Sequence, residues 1–229
     1  MTRNPIRPAL FRFLEELDAH NERPWFLENK TRYEADVQAP VLAFIEAVGP
    51  ALRKASPHLV VGTRKVGGSM TRIQRDTRFA RDKTPYKDHV ALRFHHEAAR
   101  AGASAPGFYM HLSPGGSAFA MGLWRPTAAS ARQVRASIVE NAAAWKRLVH
   151  GKRFGERFEL EGEMLKRPPR GFDPDHPLLE DLQRKDFVAV AKLGRRDVVD
   201  AEFPKSVGAL VRAGTPFVRF LCTALELPF

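Results

Sequence analysis

Apolar residues recur at helical spacing in the first quarter of the chain. Between residues 8 and 20 they fall on one face of a helix, and they are Leu10, Phe11, Leu14 and Leu17. The same 3.6-residue period continues from Trp25 to Leu52 and predicts a second, longer helix. Pro40 lies inside that stretch and predicts a break or a kink, because proline cannot donate a backbone hydrogen bond.

In the middle of the chain, apolar residues recur at every second position. Val90, Leu92 and Phe94 alternate with residues of the opposite face, and this is typical of a half-buried strand. Residues 108–112 show the same alternation. Residues 114–117 then predict a turn, and residues 118–124 the returning strand of a hairpin. Residues 69–75 and 187–193 are further strand candidates, so we expect three to five antiparallel strands.

Helical signals return in the last hundred residues. Thr127 is a candidate N-cap for a helix over residues 128–140 that extends towards residue 149. A short helix is predicted to begin at Asp175 or His176, and a final helix from Val207 onward, interrupted by prolines. Since no linker divides the chain, we expect one α+β domain over residues 1–229, with a central antiparallel sheet and helices packed mainly on one side.

The amino-acid composition indicates which cellular compartment and which kinds of partner to expect. The 229 residues carry a formal net charge of +11, which favours anionic partners such as nucleic acid or phosphorylated small molecules. The single cysteine, Cys222, excludes an intrachain disulfide framework and predicts a reducing, cytoplasmic location. The first residues lack the apolar core of a secretory signal, and the apolar runs are short and interrupted, so no membrane association is expected.

The segment over residues 72–87 concentrates charge and carries the candidate chemistry. It contains six positive and two negative side chains for a net charge of +4. Guanidinium groups match phosphate and carboxylate oxygens in pairs, so the segment predicts an anion site. The candidate ligand residues here are Arg72, Arg75, Arg78, Asp82, Lys83 and Lys87. Asp76 is a candidate to orient them, and Tyr86 is a candidate for proton transfer.

The predicted strands add residues to this candidate site. If Leu92 and Met110 face the core, then Arg93, His95, Tyr109 and His111 share the opposite face of the sheet. Arg93 and Tyr109 are candidate ligands for the anion. His111 is the main candidate for acid–base chemistry, because imidazole titrates near neutral pH.

Two other functions fit the same residues. The charged segment is equally typical of a salt-bridged loop in an interaction scaffold that binds no ligand. It also fits nonspecific binding of nucleic acid through this segment and a second basic cluster, Lys166, Arg167 and Arg170. In that case Phe79, Tyr86 or Trp124 would stack on bases.

Cofactor and metal signals are weak. Gly67 and Gly68 lack the lysine and the glycine spacing of a phosphate-binding loop, so no cofactor is predicted. Asp173, Asp175 and His176 lie close together, but prolines flank them and an aspartate there is more typical of a helix cap than of a metal ligand. No metal site is predicted.

Several motifs resemble a family of conserved hypothetical proteins, a domain of unknown function found in bacteria and fungi. The strongest is Arg75-Asp76-Thr77-Arg78-Phe79 followed by Asp82-Lys83-Thr84-Pro85-Tyr86-Lys87. Residues 21–33, 106–111, 122–126 and 165–177 also resemble segments of that family. The resemblance covers nearly the whole chain. It supports the α+β fold and implies no particular reaction.

Overall fold

The computed structural model describes residues 3–64 and 67–229, and a five-stranded sheet lies at their centre. The strands are β1 (Val90–His95), β2 (Gly107–Leu112), β3 (Ser117–Leu123), β4 (Glu159–Glu161) and β5 (Phe187–Leu193). They lie in the order β1-β2-β3-β5-β4, and each neighbouring pair is antiparallel. The predicted α+β fold with a central antiparallel sheet is confirmed.

The sheet has a buried inner face and a partly exposed outer face. Every second residue of β2 and β3 is buried, as the two-residue period of a strand requires. Phe108, Met110 and Phe119 therefore point into the core, while Tyr109 and His111 point outward. The helices pack mainly on the inner face, and the apolar residues of that face form one core with them.

Ten α-helices are present in the described residues. They are α1 (Pro8–Ala19), α2 (Arg23–Glu28), α3 (Lys30–Arg32), α4 (Ala39–Ala55), α5 (Ala128–Glu140), α6 (Ala142–Val149), α7 (Lys152–Gly155), α8 (Leu179–Leu182), α9 (Arg195–Val199) and α10 (Phe203–Ala224). A 3-10 helix covers Glu97–Ala101. The predicted cap is confirmed, since Thr127 Oγ1 accepts a hydrogen bond of 3.1 Å from the amide of Ser130.

The predicted kink at Pro40 takes the form of a π-helical segment. Tyr33–Gln38 lies between α3 and α4 and joins them into one helical stretch. Pro40 cannot donate to a carbonyl of the preceding turn, and the wider π-turn accommodates the interrupted hydrogen-bond pattern. By length and composition the stretch Lys30–Ala55 could cross a membrane. Helices in the core of a folded domain can have the same length and composition. The apolar side chains Phe44, Ile45 and Val48 are buried in this fold.

Three predictions about the extent of elements are wrong. The short helix expected from Asp175 or His176 begins only at Leu179, as α8. Residues 204–224 are helical throughout, because Pro204 lies in the first turn of α10, where no intrahelical donor is needed, and Pro216 is accommodated inside the helix. Residues 69–75 form only isolated bridges, Met70 with Leu92 and Gln74 with Tyr86, instead of a continuous strand. The short edge strand β4 was not predicted, since three residues are too few to show a period.

Candidate functional site

The charged segment forms the outer part of a long irregular hairpin at the β1 edge of the sheet. Near the sheet, the Arg93 amide donates to Ser69 O at 2.7 Å and the Thr71 amide to Ala91 O at 2.9 Å. Farther out, the Lys87 amide donates to Ile73 O at 2.9 Å. Residues 76–84 form the tip of this hairpin.

Most charged groups at the tip are already bonded to one another. Arg75 contacts both the Asp82 carboxylate and the Thr84 hydroxyl. Arg78 donates to both oxygens of Asp76, at 2.9 and 2.7 Å. Hydrogen bonds from Thr84 and Arg75 lower the pKa of Asp82 to about 2.

The remaining lysine of the tip is also partnered. Lys83 Nζ donates to Thr77 O at 2.9 Å, and this bond bridges the two sides of the tip. The charged side chains of the tip thus bond to other groups of the same loop, and these include Arg75, Arg78 and Lys83. The scaffold hypothesis expects such contacts in this part of the segment.

Tyr86 anchors the hairpin in the core. Its side chain is 6% exposed, and its ring stacks on Phe26 with a centroid distance of 4.2 Å. The amide group of Asn21 donates to Tyr86 O and accepts from Tyr86 N, both at 3.0 Å. This environment favours a packing role for Tyr86 over proton transfer or base stacking.

Three cations near the base of the hairpin lack an acidic partner. We call Arg72, Lys87 and Arg93 the cationic triad. Within residues 3–64 and 67–229, no carboxylate lies within 4.0 Å of any of them. Lys87 Nζ instead donates to two neutral oxygens, Thr71 Oγ1 at 3.1 Å and Arg72 O at 2.7 Å.

The cations of the triad also repel one another. Partial burial lowers the pKa of Lys87, and the charges of Arg93 and Arg72 lower it further. The triad is therefore a concentration of positive charge without a direct ion pair in the described residues, and Asp76 is a more distant counter-charge of Arg72.

The outer face of the sheet continues from the triad. Arg93 is the cross-strand partner of Tyr109, and Ala91 that of His111. The rings of Tyr109 and His111 lie 6.5 Å apart, and His95 is half-buried on the same face of β1. The alternation of β1 and β2 therefore brings these side chains together as predicted.

Burial shifts the pKa values of Tyr109 and His111 on this face. It raises the pKa of Tyr109, although the charge of Arg93 opposes that shift. It lowers the pKa of His111, and the charge of His89 lowers it further while Asp88 raises it. Both groups are thus held in their neutral forms near pH 7.

His89 is a site residue that the sequence reasoning missed. Its ring centroid lies 4.4 Å from that of His111, and its Nδ1 lies 2.7 Å from Asp88 Oδ1. His89 precedes the first strand residue, so it fell outside the predicted strand. Ala91 and Arg93 lie on the outer face, and the same two-residue alternation, continued towards the N-terminus, would have placed His89 there as well.

The neighbouring strand presents only small side chains beside these rings. On β3, Ala118 stands opposite His111 and Ala120 stands opposite Tyr109. Since both are alanines, no large side chain of β3 lies over the rings. On this side, Tyr109 and His111 therefore have only small cross-strand neighbours.

Within the described residues, no group of three or more histidine, cysteine, aspartate or glutamate side chains is arranged to hold a metal ion. Asp173 Oδ1 accepts from the Asp175 amide at 2.9 Å, and His176 Nδ1 from the Leu178 amide at 3.1 Å. These side chains thus bond to the backbone that leads into α8.

Comparison with known proteins gives a family match that covers the hairpin and the sheet. The model of the family described as conserved hypothetical protein (DUF2461) matches residues 9–220. Comparisons with curated proteins and with solved structures gave no match. The matched region contains the cationic triad, the outer face and the tip of the hairpin.

Proposed function

This chain belongs to the DUF2461 family of conserved hypothetical proteins, and we propose that it binds an anionic, phosphorylated small molecule on the outer face of its sheet. The observation that carries the proposal is the cationic triad, whose three charges lie together without a carboxylate partner. Mutual repulsion makes such a cluster unfavourable by itself, and a bound anion would relieve it. We also propose that residues 75–87 are the characteristic motif of the family.

The assignment of roles differs from the one the sequence favours. Arg75 and Arg78 shape the tip of the hairpin, because each is paired with a carboxylate there, and Lys83 bonds to a carbonyl across the tip. The anion instead contacts Arg72, Lys87 and Arg93. Tyr109, the cross-strand neighbour of Arg93, is available to hydrogen-bond the ligand through its hydroxyl group.

The charge of the triad favours phosphate over a single carboxylate. A phosphomonoester carries close to two negative charges near neutral pH and offers several acceptor oxygens. Guanidinium groups bind two such oxygens at once, and an ammonium group adds a compact charge. Arg72, Arg93 and Lys87 supply both kinds of donor.

His111 is the candidate for proton transfer if the bound molecule is also processed. Its lowered pKa keeps the ring neutral near pH 7, which is the form that accepts a proton. The ring of His89 lies 4.4 Å from that of His111, and its charge lowers the pKa of His111 further. Tyr86 is buried, and Asp76 is paired with Arg78 at the tip, so neither residue is assigned to proton transfer.

Titration calorimetry with matched arginine variants tests the proposal. Inorganic phosphate and a panel of sugar phosphates and nucleotides are titrated into wild type, Arg93→Ala and Arg78→Ala at low ionic strength. We expect saturable binding by at least one compound, at least tenfold weaker binding in Arg93→Ala, and an unchanged dissociation constant in Arg78→Ala.

Two results would contradict this assignment. Binding that Arg78→Ala abolishes and Arg93→Ala retains would return the site to the tip of the hairpin. Failure of every compound to bind folded wild-type protein would favour the scaffold hypothesis, in which the hairpin is architectural.

Nucleic-acid binding is a second candidate, because aromatic side chains are exposed beside positive charge. Phe79 is 96% exposed at the hairpin tip, next to Arg78, and Trp124 is 69% exposed. A flexible single strand could stack on such rings while its phosphates contact the cations. Fluorescence anisotropy with a labelled oligothymidylate tests it. We expect affinity to fall steeply with salt and to drop in Phe79→Ala, whereas a flat salt dependence would contradict it.

A further inference from the structure

A second basic site lies away from the triad, in a groove of about 410 Å³. One wall is the first half of α5, with Ala128, Arg132 and Arg135. The other wall is the loop after β4, with Leu165, Arg170 and Phe172. The volume falls within the range of small-molecule pockets, about 300–1,000 Å³.

Arg135 is the most informative residue of this groove. Its side chain is 8% exposed, yet its guanidinium group bonds only to neutral oxygens, Leu182 O at 2.6 Å and Arg184 O at 2.8 Å. These bonds use Nε and Nη2, and within the described residues Nη1 has no hydrogen-bond partner. Burial lowers the pKa of Arg135, since no carboxylate compensates its charge.

Two exposed arginines add to that charge. Arg132 and Arg170 line the same groove, and neither forms an ion pair within the described part of the chain. No acidic side chain is among the residues that line the groove. The groove therefore combines three positive charges with apolar surface supplied by Leu165 and Phe172.

We propose that this groove binds a small molecule with an apolar body and one carboxylate or phosphate group. The anionic group is held by Arg132, Arg135 and Arg170, and the apolar body packs against Leu165 and Phe172. Arg135 is fixed by two backbone carbonyls, so one donor of the site is held in place before the ligand arrives.

The groove is separate from the site on the outer face. The hairpin of the triad leaves the sheet at the β1 edge, whereas the loop of Arg170 follows β4 at the opposite edge. Loss of one site should therefore leave the other intact. This separation allows the two to be tested independently.

Calorimetric titration with benzoate and phenyl phosphate tests the groove, with benzyl alcohol as the uncharged control. The titrations use full-length Arg93→Ala protein, in which the triad is weakened. In this background we expect one equivalent of benzoate or phenyl phosphate to bind and benzyl alcohol not to bind. The tighter of the two anions identifies the preferred head group.

Charge-reversal variants locate the binding. Arg132→Glu combined with Arg170→Glu should weaken binding at least tenfold, because both side chains are exposed and their charge is reversed. Arg196→Glu is the matched control: Arg196 is exposed on α9, outside the groove, and its change should alter affinity less than twofold. Circular dichroism confirms that each variant is folded.

Three outcomes would overturn the proposal. They are the absence of binding by both anions, binding that the double variant leaves unchanged, and binding seen in wild type but lost in Arg93→Ala. The last would assign the bound anion to the outer face and would support the triad site, so failures of the two proposals are distinguishable.

Discussion

Asn21 and Tyr86 are joined by two hydrogen bonds of 3.0 Å, one donated by the Asn21 side chain and one accepted by it. The two residues are 65 positions apart, so this pair ties the charged hairpin to the N-terminal helices. Phe26 stacks on the Tyr86 ring from the same helical region. This region therefore holds the base of the hairpin both at the backbone and at the side chain of Tyr86.

Loss of the Asn21 side chain should destabilise the protein. Asn21→Ala leaves the Tyr86 amide and carbonyl without their partly buried partner, and we expect a decrease of about 1–3 kcal/mol in the free energy of unfolding. Asn141→Ala is the control, since Asn141 makes one exposed, local bond to Ser137 O and should cost about 0.5 kcal/mol or less. Urea unfolding followed by fluorescence measures both, and equal costs would contradict the anchoring role.

Arg75 should control the local order of the hairpin tip. Its contacts with Asp82 and Thr84 cross the tip, so Arg75→Ala should increase opening of residues 76–84. Chymotrypsin cleavage after the exposed Phe79 reports that opening, and we expect faster cleavage in the variant. Arg81→Ala removes a charge from the same loop but no side-chain hydrogen bond to any residue that the structure describes, and its cleavage rate should match wild type. Equal rates in both variants would show that Arg75 does not hold the tip.

Gly122 should not tolerate a side chain. Its φ of +125° is rarely adopted by other residues, and an added Cβ would overlap the carbonyl oxygen of Phe187 on β5. We expect Gly122→Ala to lower the free energy of unfolding by about 2–4 kcal/mol. Gly62→Ala is the control, because a Cβ there meets no atom of the described residues within 4 Å. Thermal denaturation compares the two, and a neutral Gly122→Ala would mean that β3 and β5 can separate locally at little cost.

His111 should make stability depend on pH. Burial lowers its pKa below the ordinary value of 6.5, so the unfolded chain binds this proton more readily than the folded chain. The free energy of unfolding should therefore fall as the pH drops from about 6.5 towards the lower pKa of the folded state. His111→Gln removes this contribution, and we expect a smaller loss of stability between pH 7.5 and pH 5.5 than in wild type. An identical loss measured by urea unfolding would contradict a depressed pKa at His111.

Local patterns were enough to predict the central hairpin and its neighbours. The two-residue alternation of β1, β2 and β3 depends on each residue and its nearest neighbours, so it is visible in the sequence. The helix that begins at Pro8 was visible for the same reason. The helix α10 was predicted too short, because prolines weaken a local helical signal while packing against α4 and β3 supports the whole element.

The sequence by itself determined which side chains share a face and that the chain carries excess positive charge. Arg93, Tyr109 and His111 meet because strand geometry fixes their direction. Only the tertiary structure decided which charges are neutralised. Arg75 meets Asp82 because the hairpin folds back at its tip, while the triad is left without a carboxylate. Coulombic pairing depends on distances in space that sequence separation does not encode, and the same holds for the groove, where α5 meets the loop that follows β4.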